Sequence, residues 1–103
     1  MNNIVRKNIE CEEENTFLYQ LHEEGVFDEG LFHEYIESVG LVNSDNTDKE
    51  GIIAVIEKND YIICTAIYHF LPEDLFVMKN IPANIGEYIE KISNENSRLL
   101  RML

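Results

Sequence analysis

Three stretches of the 103-residue chain combine residue types that do chemistry. His33-Glu34-Tyr35-Ile36-Glu37 reads HExxE. On a helix, positions 33 and 37 share a face, as a two-point metal clip requires. The stretch lacks the second histidine of HExxH, and no third ligand lies near it in sequence, so a solvated helix face is the stronger reading. Asn46 to Glu57 can be registered on a calcium loop, with Asp48, Glu50, Gly51, Ile53 and Glu57 at its third, fifth, sixth, eighth and twelfth positions. Asn46 in first position removes a charge. The exiting segment, which should be a helix, is rich in β-branched residues, so a polar loop entering a strand is favoured over calcium binding. Cys64 and His69 can be written as nucleophile and base, but an apolar run around Cys64 disfavours a thiolate. Cys11 and Cys64 show no CxxC spacing and read as reduced thiols, Cys64 in the core. No Gly-rich phosphate loop is present. The chain reads as non-enzymatic, with no cofactor and no metal.

A fourth stretch carries charge. Glu23-Glu24-Gly25-Val26-Phe27 is followed at once by Asp28-Glu29-Gly30-Leu31-Phe32, so acid, acid, glycine, aliphatic, phenylalanine occurs twice. Gly25 suits the left-handed stop after a helix. Asp28 suits the cap of the next helix, with Gly30 in its first turn. The two copies then form a helix-turn-helix corner. They share an outward acid pair, while Val26 and Phe27 turn inward. On the second helix Glu29, His33 and Glu37 follow at i, i+4, with Glu34 beside them. Like charges at that spacing do not help a helix.

The whole chain is acidic, with 20 Asp and Glu against 8 Lys and Arg and a net charge of −12. Between Lys7 and Lys49 no Lys or Arg occurs, while Glu10, Glu12, Glu13, Glu14, Glu23, Glu24, Asp28, Glu29, Glu34, Glu37, Asp45 and Asp48 do. Such a field repels nucleic acid, whose phosphates need Lys and Arg to displace counterions. It favours a basic protein partner. The residues expected to meet that partner are Glu23, Glu24, Asp28, Glu29, His33, Glu34 and Glu37, then Asp45, Asp48 and Glu50. Hydrophobic residues at 45% argue for a folded chain despite the charge. No apolar run suggests a signal peptide or a membrane span, and a cytoplasmic location is expected.

The elements that must position these residues follow from hydrophobic spacing. Residues 1–10 suggest an edge strand or extended arm. From Glu12 the spacing of Phe17, Leu18 and Leu21 predicts a helix ending at Gly25. Leu31, Phe32, Tyr35, Ile36 and Val39 predict a second helix, ending at Gly40. After a polar loop, Ile52–Ile56 and Tyr61–Tyr68 read as two strands around a turn at Lys58-Asn59-Asp60. Leu71-Pro72-Glu73-Asp74 reads as a turn and Leu75–Lys79 as a third strand. Pro82 suits the first turn of a last amphipathic helix, marked by Ile85, Tyr88, Ile89 and Ile92. Leu99, Leu100, Met102 and Leu103 make an apolar end that needs cover. The expected fold is α+β, one domain over residues 1–103. A small antiparallel sheet, its central hairpin at about 51–71, packs against N-terminal helices and a C-terminal helix.

In size, charge and lack of a catalytic set, the chain resembles bacterial immunity proteins of contact-dependent growth inhibition and other polymorphic toxin systems. The resemblance spans the whole chain and rests on no diagnostic motif. It implies a partner, a basic toxin domain, often a nuclease, bound over or beside its active site. Small acidic anti-CRISPR proteins and DNA mimics share the profile. A phosphate-mimicking inhibitor of a nucleic-acid-binding enzyme is therefore the alternative, and a small metal-binding domain the second.

Overall fold

A computed structural model of the chain describes residues 1–70 and 78–103. It has five helices: α1 (Asn3–Glu10), α2 (Phe17–Glu23), α3 (Glu29–Val39), α4 (Lys49–His69) and α5 (Ile85–Leu100). Side chains from all five enter one buried cluster, from Val5 on α1 to Leu99 on α5. α3 has a neighbour on either side. α1 runs opposite to it, with Asn2 Nδ2 donating to the Ser38 carbonyl (2.8 Å) and Asn8 facing Glu34 across a small cleft. α5 runs in the same direction as α3. At its start the Tyr88 hydroxyl donates to Glu29 Oε1 (3.3 Å). At its far end Arg98 donates to the carbonyls of Val39 and Val42 (2.8 Å each). The guanidinium pins the turn after α3 to α5, and at Val39 it adds a donor to a carbonyl that already accepts the Val42 N–H (3.0 Å).

The expected sheet is not formed. Among the described residues the one β pairing is an isolated parallel bridge between Val26 and Lys79. The stretch expected to be a hairpin at about 51–71 is instead the single 21-residue helix α4 as far as His69. Ile52, Val55, Asn59, Ile62 and Ala66 are buried at alternating steps of three and four, a helical stripe with one polar member. The β-branched residues cost a few tenths of a kcal/mol each in a helix, which tertiary packing overrides. Asp48 starts the helix, its Oδ1 accepting the Gly51 N–H at 2.8 Å. Asp48 is thus a helix cap and Glu57 a mid-helix residue, so the twelve-residue calcium loop does not exist as a loop. The polar loop before it enters a helix and not a strand.

Other expectations shift as well. Residues 1–10 are not extended: Asn2 Oδ1 accepts the Val5 N–H (3.0 Å) and caps α1. The next helix starts at Phe17 and not at Glu12, because Thr16 Oγ1 takes the Tyr19 N–H (3.3 Å) as its cap. Pro82 precedes α5, whose cap is Asn84. Cys64 is exposed and not in the core, while Cys11 is half-buried. His69 Nδ1 accepts the Met78 N–H (3.0 Å), which ties that nitrogen to the backbone and away from a thiol. The turn expected at 71–74 lies outside the described residues, as does most of the strand expected at 75–79.

The Lys58-Asn59-Asp60 stretch that looked like a turn holds the buried polar centre of the fold. Asn59 is fully buried. The Tyr35 hydroxyl donates to Asn59 Oδ1 at 2.6 Å, and Asn59 Nδ2 donates to Asn96 Oδ1 at 2.8 Å. Asn96 Nδ2 then donates to Asp60 Oδ1 at 3.0 Å. The chain of bonds ties α3, α4 and α5 together, and no buried side-chain N or O among the described residues lacks a partner.

Burial holds the Tyr35 phenol far above the ordinary tyrosine value of 10.0. In the unfolded chain the phenol ionises near that value, while the folded state keeps the proton. Stability from this group is therefore fully present below about pH 10 and is lost as pH rises beyond it. Thermal unfolding between about pH 8 and 11 should show Tm falling at the alkaline end, and Tyr35→Phe should flatten that fall. An equal fall in the variant would assign it to other tyrosines.

Candidate functional site

The acid-rich corner is built from backbone rules first. Gly25 takes φ +64°, the left-handed conformation that ends α2. The Val26 N–H turns back to the Gln20 carbonyl (2.9 Å). The Phe27 N–H donates to the Lys79 carbonyl (2.8 Å), and the Lys79 N–H to the Gly25 carbonyl (2.7 Å). Phe27 is buried between Phe17, Phe32 and Tyr88, with ring centroids 5.1–5.6 Å apart. Asp28 Oδ1 accepts the Leu31 N–H (2.9 Å) and starts α3. Gly30 sits in the first turn with room for a side chain, so the two glycines of the repeat do different jobs.

All ten residues expected at a partner surface are exposed: Glu23, Glu24, Asp28, Glu29, His33, Glu34, Glu37, Asp45, Asp48 and Glu50. The fold brings some of them together and not others. Glu23 and Glu24 end α2, and Asp28 and Glu29 begin α3 across the corner. His33, Glu34 and Glu37 continue along the outward side of α3, opposite the buried Phe32, Tyr35 and Val39. Asp45, Asp48 and Glu50 lie beyond the other end of α3. That helix is 11 residues long, or about 16 Å at 1.5 Å per residue, so they form a separate group. His33 and Glu37 do share a face. Even so, no three His, Cys, Asp or Glu side chains among the described residues are placed to hold a metal ion.

The acids of this surface make few close ion pairs, although Lys7 lines a cleft with Glu34 and Lys91 lines another with Glu37. The ion pairs among the described residues are Lys7–Glu13 (3.4 Å), His22–Glu23 (3.8 Å) and Arg98–Glu95 (2.8 Å). Only Glu23 of the nine acids is in one of them, and its partner is a histidine. Negative charge also reaches the neighbouring phenol. Tyr88 is pushed above its ordinary value by desolvation first, and then by Glu29, which accepts its hydrogen bond, and by Glu87.

Beside the corner, α1, α2 and α4 border a cavity of about 330 Å³ lined in part by Cys11, His22, Glu23, Lys58 and Tyr61. His22 Nδ1 lies 2.8 Å from the Tyr61 hydroxyl. Burial, the largest cause, pushes the Cys11 thiol up, with Lys58 opposing and Glu23 adding. A raised thiol is a poor nucleophile at neutral pH, which argues against chemistry at this spot.

The sequence pattern gave no notice of the outward side of α4. Ile53, Tyr61, Ile67 and Tyr68 are exposed there, as is Phe70 just past the helix end. They were hidden in apolar runs that look like strands. The signal that could have found them is the buried three-four stripe on the opposite side. No helix among the described residues is long and apolar enough to cross a membrane. Comparison with protein-family models, curated proteins and solved structures gives no match.

Proposed function

We propose that this chain is a non-enzymatic binding protein that neutralises a basic protein partner, as an immunity protein does a toxin nuclease domain. The observation that carries the reading is the row of acids, without close Lys or Arg ion pairs among the described residues, along the outward side of α3 and its corner with α2. Six of the nine expected acids lie there, Glu23, Glu24, Asp28, Glu29, Glu34 and Glu37, and none of the nine is ion-paired with Lys or Arg among the described residues. Acids so placed would speed encounter with a cationic surface and set which partner is accepted. The same field repels nucleic acid, so a nuclease partner would be met at the protein and not through its substrate.

The test is capture of a basic toxin domain encoded beside this gene. The triple variant Glu29→Lys, Glu34→Lys, Glu37→Lys should slow association by about ten-fold or more at low salt. It should also remove most of the salt dependence and abolish protection of cells. Unchanged capture and protection in the triple variant would rule out this surface.

A further inference from the structure

The outward side of α4 is acidic at one end and apolar at the other. Glu50, Ile53, Glu57, Asp60, Cys64 and Ile67 follow one another in steps of three and four, with Tyr61 and Tyr68 alongside, and all are exposed. Tyr68 and Phe70 are more than half exposed, at 52% and 60%. Single exposed apolar side chains are ordinary, but a row at helical spacing marks a contact surface. Between Glu50 and Tyr68 the one Lys or Arg of α4 is Lys58, which lines the cavity beside Cys11 at the edge of this side, together with Tyr61. Tyr61 also joins this side to the acid corner, through His22, which lies 3.8 Å from Glu23.

We propose that the outward side of α4 anchors the partner, and that its occupant is a cationic amphipathic helix of that partner. The inference rests on the reading of the chain as a binder of basic protein, and it moves the affinity from α3 to α4. Charge selects the occupant. A second copy of this chain would bring another −12 against Glu50, Glu57 and Asp60, whereas a helix with Lys or Arg flanking Leu or Ile would meet both halves of the surface. Aromatic anchors such as Tyr61 and Tyr68 are where binding energy concentrates, with the acids at the other end selecting the cationic partner.

Two labelled peptides of about 20 residues, long enough for a full helical face, provide the probes. One is an amphipathic Leu/Lys helix; the other is a Lys/Gln helix of equal charge. Fluorescence anisotropy should show the Leu/Lys peptide binding at least about ten-fold tighter than the Lys/Gln peptide. The double variant Tyr61→Ser, Tyr68→Ser should erase that advantage and leave Lys/Gln binding unchanged. Ile67→Ser should do the same if the double variant loses helicity by circular dichroism. Equal binding of both peptides to the native protein would overturn the α4 anchor while leaving the acidic reading standing. Failure of both peptides to bind would overturn the acidic reading itself. Self-association of the native protein in sedimentation, lost in the double variant, would overturn the proposed occupant in favour of a second copy.

Discussion

Asn59→Ala is expected to destabilise the protein well beyond the loss of a few side-chain atoms. The substitution removes the acceptor of the Tyr35 hydroxyl and the donor to Asn96 Oδ1, both in the interior. A buried polar group left without a partner costs about 1–3 kcal/mol, and two are stranded together. Urea denaturation should therefore show a large fall in midpoint with little change in slope. Tyr35→Phe, Asn59→Leu, Asn96→Leu combined should recover most of the loss, because the one member left, Asp60, is exposed and its carboxylate can turn to water. A midpoint for Asn59→Ala within error of the native protein would mean that the buried network does not hold the three helices.

Phe17→Ala should have a comparable effect by another route. Phe17 is fully buried. Its ring meets Phe27 and Phe32 edge-on at 5.1 and 5.3 Å and stacks on Tyr35 at 6.2 Å. Truncation deletes the hub of this aromatic group and leaves a cavity, at about 3–5 kcal/mol. A small domain has about 5–15 kcal/mol in total, so a substantial unfolded fraction is expected on mild heating. Leu41→Ala, at a residue 66% exposed, is the control and should stay within about 0.5 kcal/mol. Equal melting temperatures for the two variants would contradict the packing described.

Apart from the short α1, whose few apolar residues read as an edge strand or extended arm, helices with one apolar stripe were legible in the sequence. α3 shows this best: Asp28 caps it, its buried stripe includes Phe32, Tyr35 and Val39, and its acids face outward. The acid corner was legible for the same reason, since its parts are local. α4 was not. Its inner stripe is interrupted by Asn59, and its outer side carries Ile53, Tyr61, Ile67 and Tyr68, so Ile52–Ile56 and Tyr61–Tyr68 are each apolar at consecutive residues and read as strands. The polar stretch Glu57-Lys58-Asn59-Asp60 between two β-rich runs imitates a turn, although Asn59 in fact fixes where α4 lies against α3 and α5. The misreading also hid the exposed side of α4, because the outward residues of a helix and of a strand are different sets.

The Val26–Lys79 bridge closes a loop of roughly fifty residues that contains both α3 and α4. Chain entropy alone sets that closure at about 3.5 kcal/mol by the logarithmic length rule. The two backbone hydrogen bonds of the bridge return about 0.5–1.5 kcal/mol each. They cannot draw the ends together unaided. Phe27 and Met78, both buried beside the bridge, must supply the difference. The corner that presents Glu23, Glu24, Asp28 and Glu29 is therefore held in shape by oil at its back and not by the hydrogen bonds that trace it.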